Sequence, residues 1–334
     1  MFTVGVIGVG YWGPNLIRNF IMNPKTRMKS CCDLKTNRLH YIRSIYPSLE
    51  TFTDYRPIIQ DPQVDLITIC TPVDTHYHLA RLALEAGKHV LIEKPMTATS
   101  QEAEELINIA EKKNLKIFVD HTFLFTGAVQ KIKELLQRGE IGDLYYFDSV
   151  RVNLGLFQHD VNVIWDLAPH DISIMYYLLN QNPESVLASG ASHFNSLEDV
   201  AYLTIFYPKN LIAHIHVNWL SPVKIRHTLL AGDKKMVVWD DNNPTEKVRI
   251  YDKGIEVVQN KDDIYDILIQ YRTGDMYCPK LNTTEGLAVE VEHITDCLLN
   301  NKPSISDGHL GRMVVRILEA AQESIKNRGR EVKI

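Results

Sequence analysis

Three consecutive residues, Glu93, Lys94 and Pro95, place an acid and an amine directly after the short apolar run 90–92. Such a run is typical of a buried parallel strand, and open α/β sheets bind their ligands at the carboxyl ends of these strands. A lysine there can hydrogen-bond a substrate oxygen and stabilise negative charge as it develops. The alternative is an ordinary strand-end ion pair whose ammonium group reaches water. The tripeptide alone leaves both interpretations open.

Gly8, Gly10 and Gly13 have the G-x-G-x-x-G spacing, with Tyr11 and Trp12 between the last two. The motif follows a predicted strand at 2–7 and opens a predicted helix at 13–22. Glycines in this context permit a tight turn, and the helix N-terminus attracts a pyrophosphate. A turn that only packs helix against strand is the competing interpretation. The context favours dinucleotide binding.

Asp33 lies 20 residues after Gly13, at the end of the predicted second strand. A carboxylate at that place can bind the adenosine ribose hydroxyls and repel the additional phosphate of NADP. Lys35 and Arg38 follow closely and weaken that repulsion. The sequence therefore predicts NAD as the cofactor and does not exclude NADP.

Thr71 and Pro72 end another predicted strand and enter a helix, so we expect them to line the cofactor. His76 is a further candidate cofactor contact, with a solvated histidine as the alternative. Asp74 or Thr75 as an ordinary helix cap explains part of the same segment.

Asp166 and His170 are four residues apart at the start of a predicted helix, which places them on one side of it. A carboxylate can hold the imidazole in one tautomer while the other ring nitrogen accepts a proton. The alternative is a helix cap next to an unrelated, partly buried histidine.

Alternating short strands and helices in the first 120 residues predict βαβ units and a parallel sheet. The predicted strands are 2–7, 27–32, 65–70, 88–92 and 115–119, and the helices between them are 13–22, 35–46, 75–87 and 99–114. We expect an NAD-binding Rossmann domain over 1–120.

Successive strand-like segments after residue 140 predict a large, mostly antiparallel open sheet, with one helix near 169–180. The predicted strands are 143–153, 185–194, 199–207, 211–219, 224–231, 235–239 and 247–251. Helical patterning returns over 284–326, and we expect some of these helices to pack on the first domain. The predicted second domain spans 121–334; one face of its sheet should pack on a core, and the other should meet water or another subunit.

The composition narrows the class of partner. The 334 residues carry a formal net charge of −5 without a long basic run, which argues against nucleic acid or an anionic membrane as partner. No apolar run approaches the length of a bilayer span, and no signal peptide precedes the first strand. The five cysteines have no metal-type spacing and indicate reduced thiols in a cytoplasmic protein. We expect no metal site.

Taken together, the glycine turn, Thr71-Pro72, Glu93-Lys94-Pro95, the D-x-x-x-H of Asp166 and His170, and Ser306-Asp307-Gly308 resemble the Gfo/Idh/MocA oxidoreductase family in order and spacing. The resemblance implies a Rossmann domain, a C-terminal α/β domain with an open sheet, and a homodimer or homotetramer formed through that sheet. It also implies that Lys94, Asp166 and His170 carry the chemistry, and a cis bond before Pro95. Within the family the chain is most similar to dehydrogenases of the UDP-N-acetylglucosamine 3-dehydrogenase type, which act on nucleotide-linked amino sugars.

The expected reaction is hydride transfer between a sugar carbinol carbon and the nicotinamide. His170 is the candidate base, Asp166 orients it, and Lys94 stabilises the alkoxide. Glu93 lies beside the cofactor in this arrangement. The predicted substrate contacts are His121, Arg151, Asn153 and Asn162. The alternatives are an inositol or free-sugar dehydrogenase, an NAD-dependent redox-neutral glycosidase, and a dinucleotide-sensing regulator without catalysis.

Overall fold

The computed structural model describes residues 1–155, 158, 161–259 and 267–334, which form two compact units. The first unit contains 1–126 and 284–319, and the second contains 127–283 and 320–334. This division differs from the predicted domains 1–120 and 121–334, because a late segment of the chain returns to the first unit.

The first unit is built on a parallel sheet with helices between its strands. Its strands are β1 (Phe2–Ile7), β2 (Thr26–Cys32), β3 (Glu50–Phe52), β4 (Leu66–Ile69), β5 (His89–Glu93) and β6 (Ile117–Asp120). Its helices are α1 (Gly13–Met22), α2 (Thr36–Ile45), α3 (Arg56–Gln60), α4 (Val73–Glu85) and α5 (Ser100–Lys112), with a 3-10 helix at Thr122–Phe125. β3, α3 and the 3-10 helix were not predicted, because elements of three to five residues carry little periodicity.

The strand order is β3-β2-β1-β4-β5-β6, and each described pair of neighbours is parallel. The order reverses beside β1, so the ends of β1 and β4 flank a switch point where α/β sheets bind ligands. The predicted parallel sheet is confirmed.

The first unit also includes the helix α8 (Gly286–Leu299). Leu287, Val291 and Ile294 of this helix share a buried cluster with Phe20 of α1 and Phe118 of β6. An amphipathic helix belongs to the core in which it buries its apolar face. The following helix, α9 (Gly308–Lys326), begins in the first unit and ends in the second, where Ser324 hydrogen-bonds the backbone N–H of Ala188 at 2.8 Å.

The second unit is built on a nine-stranded sheet of the described residues. The predicted large, mostly antiparallel sheet is confirmed. Its helices are α6 (Gly127–Gln137) and α7 (Val163–Leu179). Its strands are β7 (Leu144–Leu154), β8 (Ser185–Ala191), β9 (Val200–Phe206), β10 (Ile212–Asn218), β11 (Leu220–Gly232), β12 (Met236–Asp240), β13 (Val248–Gln259), β14 (Ile267–Tyr277) and β15 (Val332–Lys333). The strand order is β14-β13-β12-β11-β7-β10-β9-β8-β15. Neighbours are antiparallel except β10 and β7, which pair in parallel.

α7 begins six residues earlier than the predicted start at 169. Pro169 suggests a helix start because proline suits the first turn, yet here it lies inside the helix. The true cap is Asn162, whose side-chain oxygen accepts a hydrogen bond from the Trp165 N–H at 3.1 Å. The longer helix brings both Asp166 and His170 into regular helical geometry.

In the described part of the chain, no helix has the length and apolar character needed to cross a bilayer.

Candidate active site

The glycine turn after β1 has a shape that only glycines allow at two of its positions. Gly8 has a φ of +94°, and a Cβ there would lie 2.5 Å from the Cys70 carbonyl oxygen. A Cβ on Gly13 would collide with the Gly8 carbonyl oxygen. Gly10 differs, because a Cβ there meets only the flexible Arg38 guanidinium, at 3.4 Å. The backbone is thus tightly packed beneath the turn and open at Gly10, which fits the close approach of a dinucleotide pyrophosphate.

Asp33 follows β2 and lies beside this turn. Its carboxylate accepts hydrogen bonds from the Val9 N–H at 3.0 Å and from the Lys35 N–H at 2.8 Å. Arg38, which is partly exposed, forms an ion pair with it at 3.2 Å. The predicted juxtaposition of Asp33 with the glycine turn is therefore present, and Arg38 is bound to the acid that would otherwise repel a phosphate.

Thr71 and Pro72 follow β4, and Thr71 contacts the turn because a Cβ on Gly8 would lie 3.0 Å from its methyl group. His76 was predicted to contact the cofactor, and the structure corrects this. Its ring is buried, with Nδ1 3.0 Å from the Pro95 carbonyl oxygen and Nε2 2.8 Å from the Thr71 carbonyl oxygen. Burial lowers the pKa of His76. The neutral ring donates a hydrogen bond to one of these carbonyl oxygens, and both of its nitrogens face the backbone.

Glu93 is the last residue of β5, and Lys94 follows it at the carboxyl edge of the sheet. The Glu93 carboxylate accepts a hydrogen bond from the Lys94 backbone N–H at 2.5 Å. The peptide bond between Lys94 and Pro95 is cis, as the family resemblance implied. Lys94 is half-buried, so its amine lies at the boundary between the sheet edge and solvent.

His121 follows β6 and lies near Lys94. Its side chain is 1% exposed. Burial, with a smaller effect of the Lys94 charge, lowers the pKa of His121 to about 3. A neutral imidazole therefore lies beside the lysine, although the predicted contact of His121 with substrate remains a proposal.

The sequence analysis missed two acids of this edge. Asp120 is the last residue of β6, paired in register with Glu93 of β5, and its carboxylate accepts a hydrogen bond from the Trp12 indole N–H at 2.6 Å. Glu290 of α8 lies against Asp120 and is 1% exposed. A strand-end position was a signal for Asp120, but no local pattern marks Glu290, which is distant in the chain.

In the second unit, α7 carries Asp166 and His170 one helical turn apart. The Asp166 carboxylate accepts a hydrogen bond from the Trp219 indole N–H at 3.1 Å. His170 is half-buried, and its Nδ1 is shielded from solvent. Asn153 lies near Trp219 as well, since a Cβ on Gly155 would contact both side chains.

Two of the predicted substrate contacts have partners within the second unit. Arg151 is 4% exposed, and its guanidinium binds the buried Asp171 carboxylate through Nε at 2.5 Å and a terminal nitrogen at 3.2 Å. Asn162 caps α7, and its amide nitrogen donates to Glu198 at 2.6 Å and to Gln322 at 2.5 Å. These internal partners account for both side chains without a ligand, and their contact with substrate stays a prediction.

Comparison with known proteins agrees with this geometry. Residues 2–121 match the NAD-binding Rossmann-fold domain of the Gfo/Idh/MocA oxidoreductase family, and residues 129–238 match the family's C-terminal domain. These two matches cover more than half of the chain. The fold and the cofactor turn thus define an NAD-binding oxidoreductase, and the chain belongs to the Gfo/Idh/MocA family.

Individual relatives are distant. The chain is 27% identical to UDP-N-acetylglucosamine 3-dehydrogenase of Acidithiobacillus ferrooxidans, over 78% of this chain and 77% of that protein. It is 25% identical to scyllo-inositol 2-dehydrogenase (NADP(+)) IolW of Bacillus subtilis, over 88% of this chain and 86% of that protein. A solved structure of the Acidithiobacillus enzyme, GnnA, superimposes with a TM-score of 0.81 at 23% identity, covering 97% of this chain and 98% of that one. That likeness shows the fold.

Proposed function

We propose that this NAD-binding oxidoreductase oxidises a secondary hydroxyl of a UDP-linked N-acetyl amino sugar at C3. The main support is the position of Lys94, which extends from the same carboxyl edge of the sheet that carries the glycine turn and Asp33. A lysine that only forms a strand-end ion pair would not need to lie at the same sheet edge as the cofactor turn. The 27% identical relative that acts on UDP-N-acetylglucosamine supports the substrate class.

Each residue then has a definite task. NAD supplies the hydride acceptor when bound. The imidazole of His170 takes the hydroxyl proton. Asp166 orients the imidazole, and Lys94 donates a hydrogen bond to the substrate oxygen as its negative charge grows. Asn153 is a candidate contact to the sugar.

An inositol is the second candidate substrate, supported by the 25% identity to the scyllo-inositol enzyme. Arg151 is paired with the buried Asp171, and Arg226 lies 3.6 Å from Asp241. A substrate without a diphosphate does not need an arginine for that group.

A substrate panel separates these possibilities. Purified protein is incubated with NAD, and in parallel with NADP, and with UDP-N-acetylglucosamine, UDP-N-acetylgalactosamine, free N-acetylglucosamine, myo-inositol or scyllo-inositol. Reduced nicotinamide is followed by absorbance, and mass spectrometry checks the product for the loss of two hydrogens. Turnover with the UDP-sugars only supports the proposal. Turnover with the inositols and with no UDP-sugar would instead support the second candidate, an inositol dehydrogenase.

Two further outcomes would favour non-redox functions. Cleavage of a glycoside without net cofactor reduction indicates redox-neutral hydrolysis, and NAD binding without turnover indicates a sensor.

We also propose that the chain forms a homo-oligomer through the open face of the nine-stranded sheet. On this face Tyr202 is 43% exposed and Ile212 is 39% exposed, and the Tyr202 ring stacks on His216 with centroids 4.4 Å apart. Exposed aromatic and aliphatic groups on one sheet are typical of an interface. Light scattering of wild type and Ile212→Asp tests this, since a charge in the interface should reduce the molar mass.

A further inference from the structure

Two carboxyl groups share one buried place beneath the cofactor turn. Asp120 is 2% exposed at the end of β6, and Glu290 of α8 is 1% exposed. Glu290 lies against Asp120 and Thr122, and both of its carboxyl oxygens are buried without a hydrogen-bond partner among the described residues. Two carboxyl groups that share one buried place cannot both stay ionised, so one of them must hold a proton.

The surroundings indicate which acid holds that proton. Burial raises the pKa of Asp120 as well, but its carboxylate accepts the indole N–H of Trp12 at 2.6 Å and the hydroxyl of Thr122, and both donors stabilise its anion. Glu290 lies near two acids, Asp120 at the end of β6 and Glu93 at the end of β5. Burial and the charge of Asp120 raise the pKa of Glu290 well above its ordinary value. The thiol of Cys70 is also buried near Glu93 and Asp120, and its pKa is raised well above its usual range. Lys94 and His121 are the other titratable groups of this edge.

We propose that Glu290 is a positioning residue of the cofactor site: it keeps a proton at neutral pH and donates it to Asp120, whose carboxylate holds the Trp12 indole in the glycine turn. Trp12 packs against the same cluster as Leu287 and Val291, the neighbours of Glu290 on α8. The acid pair therefore fixes a ring that lies between Gly10 and Gly13, where the backbone must stay open for the dinucleotide.

Variants at position 290 test the protonation state. In Glu290→Gln an amide N–H replaces the acid O–H, so we expect NAD to bind within about twofold of wild type at neutral pH. In Glu290→Leu the donor is lost, and we expect NAD to bind about tenfold more weakly, measured by calorimetry. Glu292→Gln is the matched control, because Glu292 lies on the same helix, is half-exposed and pairs with Lys25. It should change nothing.

The pH dependence of the free energy of unfolding tests whether Glu290 holds a proton, which a residue that only packs in the core would not affect. A raised pKa in the folded state means that the folded chain binds more protons than the unfolded chain above about pH 4.5. The free energy of unfolding should therefore decrease as the pH rises from that value towards the folded pKa. Glu290→Gln should flatten this decrease, and Glu292→Gln should not.

Infrared spectroscopy of the wild-type protein without cofactor checks the proton directly. We expect the carbonyl stretch of a protonated carboxylic acid at pH 7, shifting in heavy water and absent from Glu290→Gln. Absence of that band in wild type overturns the proposal whether or not any variant folds. Tight NAD binding by Glu290→Leu, or a folded Glu290→Gln that binds NAD as weakly as Glu290→Leu, would also overturn it.

Discussion

In the first unit, polar side chains from β2, β5 and β6 meet at one sheet edge, whereas in the second unit the polar residues of β7 and α7 mostly bind each other. Parallel strands end on the same side, so residues that follow them are brought together by topology alone. In the antiparallel sheet, polar groups that point inward must find local partners, as Arg151 finds Asp171. A polar residue at a strand end in the first unit is therefore a better candidate for function than one inside a strand of the second.

The largest effect is expected from Lys94→Met. Removing the donor that stabilises the substrate oxygen should lower kcat by about 10³-fold or more, while the Kd for NAD stays near the wild-type value. Turnover assays with the active substrate from the panel and calorimetry with NAD measure the two quantities. Lys112→Met, on the exposed face of α5, is the control. If Lys94→Met keeps most of its kcat, the sheet edge of the first unit is not the catalytic site that we propose.

Arg151→Met should act on stability. It leaves the Asp171 carboxylate buried without its guanidinium, so the free energy of unfolding should fall by about 3–5 kcal/mol in urea titrations. Arg138→Met, in the exposed pair with Glu134, should cost far less. If Arg151→Met instead raised the KM for substrate without loss of stability, Arg151 would be a ligand contact and the second unit would resemble the first.

His121→Gln should change how the free energy of unfolding depends on pH below about pH 6.5. Because the folded pKa of His121 is about 3, only the unfolded chain takes up this proton as the pH falls below about 6.5. Wild type should thus lose up to about 1.4 kcal/mol of stability per pH unit in this window, relative to His121→Gln. Unfolding at pH 5 and pH 7 tests this, with the exposed His40→Gln as control. Equal slopes in all three proteins would show that His121 is accessible to water.

Asn162→Ala should have the smallest effect. Loss of the helix cap should cost about 1 kcal/mol of stability, and kcat and KM should not change. Asn162→Ser keeps a side-chain oxygen at the cap and should recover part of the loss. A changed KM in a stable Asn162→Ala protein would return this residue to the substrate site.

Much of the first unit was predictable because its signals are local. The glycine spacing, the strand before it and Asp33 at the end of β2 are all read within short windows, and each lies where it was expected. His76 was placed wrongly for the opposite reason. Its partners, the carbonyl oxygens of Thr71 and Pro95, come from two loops whose proximity no single window contains.

The second unit was predictable as an architecture and less so in its details. The predicted strand 211–219, for example, is present as β10, Ile212–Asn218. The start of α7 was misplaced because Pro169 gives a stronger start signal than the true cap, Asn162. Arg151 was read as a ligand contact because the sequence does not show that Asp171 neutralises it.

By itself, the sequence determined the class of protein: a dinucleotide turn, an acid after β2, a strand-end Lys94, and Asp166 with His170 on one helix. These features depend on spacing along one or two elements, which backbone geometry converts directly into position. Tertiary structure alone decided that Arg151 and Asn162 are internal and that Glu290 lies against Asp120 beneath Trp12. Those outcomes depend on burial and on partners far apart in the chain, where the cost of an unpaired polar group selects the contact.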